Sequence, residues 1–209
     1  MTSFADILFT PGVVAAQRAL GSHGAFDRRY AAKRDEPLGA AEQDFLASRS
    51  TLYIASVNSD GWPYLQHRGG PAGFIKVLDP FTIGFADYRG NRQVITRGNL
   101  ATDDRVSLFA MDYARKARLK LLGHARMADA ADDPALAEAL ATEGQGQIER
   151  TVTIRIAAWD WNCPQFITPR FDAAEIAALV GPEITRLETR ITELEAENAA
   201  LKPQTRTPT

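Results

Sequence analysis

The chain has 209 residues, with 24 lysines and arginines against 26 aspartates and glutamates and a formal net charge of −2. This near-balance, with 45% hydrophobic residues, is typical of a soluble globular protein and excludes one that holds nucleic acid or an anionic membrane through an overall basic field. No apolar stretch reaches the roughly 18 residues that a bilayer span needs, and the N-terminus lacks the basic start of a secretory signal. The single cysteine, Cys163, cannot form an internal disulfide. We therefore expect a cytoplasmic protein with no nucleic-acid or membrane partner.

The first part of the chain changes from helical to extended patterning. Glycines interrupt short helical runs over residues 1–39, and residues 40–48 form a short amphipathic helix. Residues 51–57 and 62–67 flank an Asn-Ser-Asp-Gly turn and predict a hairpin. The short spacing of the strands favours an antiparallel barrel or sandwich over a parallel sheet. Further strands are predicted at residues 74–78, 82–85, 105–111, 119–127 and 151–156.

Two helices are predicted between these strands. Asn91 is a good N-cap and Gly98 suits the C′ position, which predicts a helix over residues 91–97. Asp133 and Pro134 open an alanine-rich helix that runs to about residue 142, because proline is favoured at the first helical position.

The C-terminal segment has a heptad pattern of apolar residues. Isoleucine at two a positions with leucine at d is typical of parallel two-stranded coiled coils, and an asparagine at the third a position sets the register at some cost in stability. These seam positions are Ile184, Leu187, Ile191, Leu194, Asn198 and Leu201.

Charged residues flank this seam at the g and e positions. Two of the three g–e′ pairs that a partner helix would form are attractive and one is repulsive. Because short isolated helices are marginal in water, an amphipathic helix packed on its own domain is the alternative. Asn198 favours self-association, since it would be an unusual choice against an intramolecular core. The pairs are Arg190 with Glu195, Glu197 with Lys202, and the repulsive Glu183 with Glu188.

Candidate binding residues concentrate in residues 66–97. Arg68 is followed by Gly69 and Gly70, so a cation lies beside backbone that has no side chain to keep a planar ligand away. Lys76 follows in an otherwise apolar strand. This end of the segment suits a flat, partly anionic ring system.

The other end of the segment suits an anion. Asn91 and Arg92 stand at the start of the predicted helix, where unpaired N–H groups and the helix dipole favour a phosphate. Arg92 and Lys76 would add charge-assisted hydrogen bonds. Together the two ends predict a site for a phosphorylated planar cofactor.

Each of these residues also has a simpler explanation. Lys76 could be a charge that protects an edge strand from aggregation, and the glycine pair could be a bulge. Arg89 and Arg92 could be solvated loop cations, and Asn91 only a helix cap. Their concentration on adjacent strands and one helix start favours the binding site.

Residues 40–128, and more loosely the chain as far as Arg170, resemble the FMN-binding split barrel of the pyridoxamine 5′-phosphate oxidase superfamily. The matching features are an arginine after the first hairpin, a Lys-x-x-Asp strand end at residues 76–79, an aromatic strand, and an Asn-Arg-Gln helix start at residues 91–93. The resemblance implies a mainly β fold, an FMN-binding split β-barrel with flanking helices, with FMN as cofactor. It also implies a homodimer with the flavin at the interface.

The resemblance carries over to particular site residues. It implies that Lys76, Asn91 and Arg92 hold the FMN phosphate and that Arg68 and Gly69 lie at the isoalloxazine end. A less specific match places Arg118 near a polar residue that the family contributes to the flavin. The segment at 159–170 offers polar contacts at the flavin edge, or is instead a proline-ordered loop with two packing tryptophans. The candidates in this segment are Gln165, Thr168 and Arg170.

The chain also departs from the oxidases proper. Those enzymes read Arg-x-x-x-Leu-Lys, whereas GGPAGFI separates Arg68 from Lys76 here, and their C-terminal Arg and His pair for the substrate phosphate is not evident. We therefore predict an FMN-dependent oxidoreductase that acts on an unidentified small molecule, not a pyridoxamine 5′-phosphate oxidase. No residue stands out as an acid–base catalyst.

Three alternatives stay open. The fold could hold a deazaflavin, or a haem with His67 or His124 as axial ligand. The protein could instead be a non-catalytic flavin-binding sensor or assembly protein that acts through its C-terminal coiled coil. The scattered histidines predict no metal site, and Cys163 is expected to pack as a small residue.

The sequence divides into four segments. We predict an N-terminal helical lead-in at 1–39, the FMN-binding split-barrel domain at 40–172, a C-terminal coiled-coil helix at 173–202 and a disordered tail at 203–209.

Overall fold

The computed structural model describes residues 3–30 and 36–201. The predicted disordered tail at 203–209 lies outside the described residues. Seven strands form within the described part of the chain. They are β1 (Thr51–Val57), β2 (Pro63–Gly69), β3 (Lys76–Asp79), β4 (Thr82–Tyr88), β5 (Arg105–Asp112), β6 (Ala117–Asp129) and β7 (Ile148–Trp161).

The described part of the chain also contains seven α-helices. They are α1 (Phe4–Leu8), α2 (Pro11–Ala19), α3 (His23–Tyr30), α4 (Ala40–Ala47), α5 (Ile95–Leu100), α6 (Pro134–Leu140) and α7 (Ala173–Leu201). No helix among the described residues is both long and apolar enough to cross a bilayer.

The strands form one antiparallel sheet in the order β2-β1-β5-β6-β7-β4-β3. Strands β2 and β4 lie towards opposite ends of this order, yet Arg68 Nη1 on β2 lies 2.6 Å from Asp87 Oδ1 on β4. The sheet therefore curls until its ends approach each other, as in a barrel. The predicted mainly β barrel fold is confirmed.

Alternate positions of the strands fill the barrel. In β1, Leu52 and Ile54 are buried while the residues between them are only half-buried, which is the period of two that a strand imposes. Ser56 continues the buried row, and its Oγ accepts a hydrogen bond from Asn99 Nδ2 of α5 at 2.9 Å. This bond ties α5 to the first strand.

The predicted helix at residues 91–97 begins later than expected. The backbone of Arg92 and Val94 has positive φ, 59° and 48°, so the chain is in a loop up to Val94 and α5 starts at Ile95. Gly98, expected just beyond the helix, lies inside it. The helix predicted from Asp133 is confirmed, because its carboxylate accepts the N–H of Leu136 at 2.9 Å.

The two tryptophans of the 159–170 segment lie in the last strand and pack against other parts of the chain. Trp159 Nε1 donates to the carbonyl oxygen of Glu36 at 2.9 Å. Trp161 Nε1 donates to Glu42 Oε1 at 2.7 Å, and its ring contacts Phe45 edge-on at 4.7 Å between centroids. These contacts give both tryptophans a structural role.

Helices α1 and α3 are anchored to β7 by a small aromatic cluster. Phe4 and Tyr30 are buried together with Ala158. The Tyr30 hydroxyl donates to Asp160 Oδ2 at 2.8 Å, and burial together with this bond raises the pKa of Tyr30 to about 12. Arg29 Nη2 lies 2.9 Å from the same carboxylate.

The chain divides into two compact units, residues 1–167 and 168–209. The second unit contains α7, a helix of 29 residues with Pro182 inside it and no buried residue among those described. The apolar seam positions of this helix are exposed, from 40% for Leu194 to 80% for Leu201.

Candidate cofactor site

Two adjoining cavities lie where β2 approaches β4. The first, which we name the arginine cavity, has Arg68, Asp87, Arg92, Arg97 and Arg150 as its charged lining residues. The second, the glycine cavity, lies beside the end of β2 and shares Arg68, Asp87 and Tyr88 with the first. Its other lining residues include His67, Gly69, Gly70, Phe74 and Phe85.

Asp87 organises the boundary between the two cavities. Its Oδ1 accepts a hydrogen bond from Arg68 Nη1 at 2.6 Å, and its Oδ2 accepts one from Arg150 Nε at 2.7 Å. Arg150 stands directly opposite Asp87 in the β4–β7 ladder, so the strand register itself holds this pair. All three side chains are largely buried, which holds them in fixed positions.

Glu149 joins this network to the exposed loop after β4. Its Oε2 lies 3.1 Å from Arg150 Nη2, and its Oε1 accepts a hydrogen bond from Arg92 Nη2 at 2.8 Å. The bond from Arg92 is the main reason why the pKa of Glu149 is lowered. Arg92 is itself 58% exposed. Its guanidinium is thus paired with a carboxylate but remains accessible from solvent.

The loop at residues 90–94 has an unusual backbone. Arg92 and Val94 have left-handed φ values, and for the β-branched Val94 that conformation is strained. The Asn91 side chain accepts the N–H of Gln93 at 3.1 Å and so stabilises the turn. Strained backbone of this kind is concentrated at ligand sites.

Arg68 is the residue that faces both cavities. Its guanidinium lies over the Phe85 ring at 5.8 Å from the centroid. Its Nε is buried and has no hydrogen-bond partner among the described residues. A buried N–H donor without an acceptor raises the free energy of the folded protein. A ligand acceptor would therefore be favoured next to the Arg68 Nε.

The pyridoxamine 5′-phosphate oxidase family model matches residues 38–161, more than half of the chain. The chain belongs to the pyridoxamine 5′-phosphate oxidase family. The family and the fold inferred from the sequence are therefore confirmed.

Solved structures with a similar fold include three from bacteria. The putative pyridoxamine 5′-phosphate oxidase of Lactobacillus delbrueckii is 23% identical, with a TM-score of 0.47 over 60% of this chain and 94% of that chain. HupZ of Group A Streptococcus is 16% identical, with a TM-score of 0.47 over 64% and 99%. An FMN-binding protein of Syntrophomonas wolfei is 9% identical, with a TM-score of 0.44 over 71% and 97%. Membership of the family rests on the match over residues 38–161, and no curated protein matches the chain significantly.

Within this family member, the structure brings four of the predicted site residues together. Arg68, Asn91 and Arg92 line the arginine cavity, and Gly69 lines the glycine cavity with Arg68. Lys76 does not line either cavity. It is the first residue of β3, the terminal strand of the sheet, where it pairs with Gly84 of β4.

The other predicted residues also lie outside the two cavities. Arg118 is on β6 opposite Met111, and its Nε is buried without a hydrogen-bond partner in the part of the chain that is described. Gln165 is exposed after the last strand. Thr168 and Arg170 are exposed in the second unit, and their assignment to the flavin edge stays a prediction.

The glycine pair has a structural explanation of its own. A Cβ on Gly69 would lie 2.9 Å from His67 Cε1, and one on Gly70 would lie 2.7 Å from Phe74 Cβ. Gly70 is therefore needed for close packing of the chain on itself, whereas a Cβ on Gly69 would require the His67 ring to move.

Sequence reasoning missed Asp87 and Arg150 as partners in the site. They are 63 residues apart, and only the β4–β7 register brings them together, so no local pattern identifies the pair. The prediction that Cys163 packs as a small buried residue is wrong, because the thiol is exposed.

The histidines are dispersed in the structure as well. His67 lines the glycine cavity and contacts the Tyr53 ring edge-on at 5.6 Å between centroids. His124 Nδ1 lies 2.8 Å from Asp104 Oδ1 at a separate surface. Within residues 3–30 and 36–201, no three His, Cys, Asp or Glu side chains are grouped to hold a metal ion.

Proposed function

We propose that this family member binds FMN in the arginine and glycine cavities and is an oxidoreductase acting on a small molecule. The observation that carries the proposal is the arginine cavity, which four arginines and one aspartate line. Glu149 and Asp129 pair with Arg92 and Arg97 from beside the cavity, so one positive charge remains in excess. Such a cavity suits a phosphate dianion, which forms charge-assisted hydrogen bonds with guanidinium groups. It adjoins the glycine cavity, so one ligand with an anionic end and a flat end can occupy both.

The residues present fit FMN in its two parts. Arg92, Asn91 and the loop around them would hold the phosphate, with Arg97 as a further cation at the same cavity. Arg68 and Gly69 would lie at the isoalloxazine end, where the unpartnered Nε of Arg68 offers a donor to a ring oxygen or nitrogen. Asp87 acts through Arg68 by holding its guanidinium in place.

Bound flavin would supply the electron-transfer chemistry, which is a property of the cofactor. The chain's own contribution is to position that ring. Phe74 and Phe85 give the glycine cavity apolar walls, and Arg68 places a positive charge at its boundary. A positive charge there favours the ring when it carries extra electron density.

We further propose that the protein is a cytoplasmic homodimer with the flavin at its interface. Dimers are typical of the family, and both protomers would then contribute to each site. Arg118 is assigned to the partner's flavin on this proposal, since its Nε lacks a partner within the described residues and it lies outside the cavities of its own protomer. Gln165, Thr168 and Arg170 are proposed as further contacts, and Lys76 as a further phosphate contact.

The first experiment is the absorption spectrum of the purified full-length protein, followed by titration of the apoprotein with FMN and with riboflavin. We expect flavin absorption bands and much tighter binding of FMN, because riboflavin lacks the phosphate. Anaerobic addition of NADH or NADPH then tests for reduction of the bound flavin. A Soret band would favour the haem alternative, and the bands of a deazaflavin would favour that cofactor. Equal affinity for FMN and riboflavin would contradict the phosphate assignment.

A second candidate function is that of a flavin-binding assembly protein without catalysis. The observation in its favour is the exposed apolar seam of α7. Cutting the chain after Pro182 should then abolish binding of a partner while FMN stays bound. If the shortened protein still dimerises and oxidises a nicotinamide donor normally, the assembly function loses its support.

A further inference from the structure

We infer that the seam of α7 pairs with the same seam of a second copy of this chain, parallel and in register, within the proposed homodimer. The helix is continuous from Ala173 to Leu201, so all six seam positions, Ile184, Leu187, Ile191, Leu194, Asn198 and Leu201, lie on one helix. Each of the five apolar ones is at least 40% exposed in the single chain. This pairing rests on the proposed homodimer, and the experiment below separates the two.

The charges beside the seam favour the parallel orientation. In a parallel pair, g positions face e positions of the next heptad, which places Arg190 against Glu195 of the other copy. The antiparallel pair that buries all six seam positions places Ile184 opposite Leu201. In that arrangement Arg190 faces Arg190 and Glu195 faces Glu195, so attraction is replaced by two repulsions.

The remaining flanking charges do not reverse this preference. The parallel pair also has a repulsive contact, Glu183 with Glu188, and the antiparallel pair has its own, Glu183 with Glu197. Lys202 lies outside the described residues, but the heptad places it at an e position. It can form one attractive pair in either orientation. In the parallel pair it meets Glu197, and in the antiparallel pair it meets Glu188.

Asn198 supports the same orientation. In the single helix its Nδ2 donates to the carbonyl oxygen of Leu194 at 3.0 Å, which leaves its amide oxygen as an acceptor. In the parallel pair Asn198 faces Asn198 of the second copy, so the two amides can hydrogen-bond. In the antiparallel pair it faces Leu187 and would be buried without a polar partner, which is costly.

The seam has fewer than three full heptads, which is short for a coiled coil that must hold two chains together by itself. A barrel homodimer would remove this difficulty by holding the two α7 helices at a high effective concentration. A parallel pair has a twofold axis along its length, so a single axis can relate both the barrels and the helices. On this proposal, the second copy at the seam is the same one that would complete the flavin site.

The test is cysteine cross-linking in the full-length protein with Cys163→Ser, since Cys163 is an exposed free thiol. Leu187→Cys should cross-link between protomers with a short bismaleimide, because d positions face each other in the parallel pair. In the antiparallel pair the two residues would lie about 16 Å apart along the axis. Thr189→Cys is the matched control, since residue 189 is at the f position on the outer face and should not cross-link.

Charge reversal tests the pairing independently of the cysteine position. In the Leu187→Cys background, Arg190→Glu alone and Glu195→Lys alone should each lower the rate of cross-linking by about fivefold. The double reversal should restore the rate. Arg190 also pairs with Glu193 of its own helix at 2.8 Å, but residues 190 and 195 are too far apart in sequence for an intrahelical pair. Restoration therefore requires a second helix.

Four other results would contradict the parallel pairing, and each indicates a different arrangement. Dimers in sedimentation without cross-linking at residue 187 would reject the pairing and leave the homodimer standing. Cross-linking in the Leu187→Cys plus Asn198→Cys variant, with none in either single-cysteine variant, would show the antiparallel form. Tetramers would show that α7 joins different dimers. A monomer in sedimentation would reject the homodimer and, with it, this pairing.

Discussion

Charged side chains of opposite sign alternate through the candidate site. A chain of salt bridges connects Arg68 to Asp87, Asp87 to Arg150, Arg150 to Glu149 and Glu149 to Arg92. The inner members are largely buried and hold each other in place, whereas Arg92 at the outer end is accessible. A phosphate bound as we propose would therefore meet fixed cations on the barrel side and an adaptable one on the loop side.

Arg92→Ala should weaken FMN binding by about tenfold or more, because a hydrogen bond to a charged group contributes about 1.5–3 kcal/mol. The measurement is a fluorescence titration of the apoprotein with FMN. Arg105→Ala is the control, since Arg105 is also an exposed arginine paired with a carboxylate, Asp103, but lies outside both cavities. If both variants bind FMN like the wild type, Arg92 does not hold the phosphate.

Lys76→Ala tests the remaining phosphate assignment separately. Lys76 lies outside the cavities of its own protomer, so we expect a smaller loss of FMN affinity than for Arg92→Ala. The same titration gives the ratio of the two effects. A larger loss for Lys76→Ala would show that the terminal strand β3, and not the loop after β4, provides the main phosphate contact.

Glu149→Gln should tighten FMN binding. The carboxylate of Glu149 occupies the Arg92 guanidinium at 2.8 Å, so it competes with an incoming phosphate and repels it. Removal of its charge should raise FMN affinity several-fold and leave riboflavin affinity unchanged, because riboflavin carries no phosphate. Weaker FMN binding in this variant would mean that Glu149 positions Arg92 for the phosphate instead of competing with it.

At the scale of single residues, the sequence predicted residues that lie at the two ends of the candidate site but not those at its centre. Arg68, Asn91 and Arg92 could be predicted because glycines and a cap stand beside them in the chain. Arg150 could not, because its role depends on lying opposite Asp87 across two strands. Cross-strand pairs of this kind have no local pattern.

Among the structural elements, the irregular pairing of β6 with β7 requires a glycine at position 123. The register shifts between Leu122 and Gly123, and a Cβ on Gly123 would lie 2.5 Å from the carbonyl oxygen of Arg155. Gly123→Ala should therefore lower the free energy of unfolding by about 1–3 kcal/mol, as overpacking does. The matched control is Gly98→Ala within α5, where no heavy atom lies within 4 Å of the added Cβ.

Gly98→Ala should leave stability unchanged or raise it by up to about 1 kcal/mol, since alanine favours a helix over glycine. Thermal and urea unfolding of the two variants give the comparison. Equal effects of the two substitutions would show that β7 moves away from residue 123 at little cost.

The docking of the N-terminal helices should depend on alkaline pH through Tyr30. Burial raises its pKa from 10.0 to about 12, so the folded protein binds this proton more tightly than the unfolded chain does. The resulting stabilisation is complete below pH 10 and is lost as the pH rises towards 12. Tyr30→Phe cannot ionise, and it loses the bond to the Asp160 carboxylate, which costs about 1.5–3 kcal/mol near neutral pH.

The difference in unfolding free energy between the wild type and Tyr30→Phe should therefore shrink between pH 10 and pH 12. Urea unfolding at a series of pH values measures it. A difference that stays constant over this range would mean that Tyr30 ionises in the folded protein as it does in the unfolded chain.

Strands were easier to predict than the start of α5. Alternation and β-branched residues identify β1 and β5 directly, because one face of each strand is buried. Asn91 looks like a helix cap in the sequence, and its side chain does accept a backbone N–H, but within a turn that precedes the helix. Val94 has a left-handed φ, which a β-branched residue rarely adopts, so this loop conformation could not be predicted from the sequence. The helix starts at Ile95, about one turn later than predicted.

For the whole molecule, the sequence predicted the barrel and the long C-terminal helix but could not place the second protomer. The composition shows a division that bears on this point: residues 183–202 hold five acidic and three basic residues, so the rest of the chain is neutral overall. On our proposals, the charges of α7 favour a partner helix, and those of the barrel favour one anionic ligand. Neither arrangement is visible in a net charge of −2.

Cofactor binding and dimerisation should be coupled if the flavin lies at the interface, because each then stabilises the other to the same extent. A chain cut after Pro182 keeps the barrel but loses the seam, so its dimer should dissociate at higher protein concentrations. Its apparent affinity for FMN should then fall as the protein is diluted from micromolar to nanomolar concentrations, whereas the full-length chain should keep its affinity over the same range. Fluorescence titration at several protein concentrations measures both. An affinity that is independent of dilution, in a shortened chain that sedimentation shows to be monomeric, would place the flavin within a single protomer.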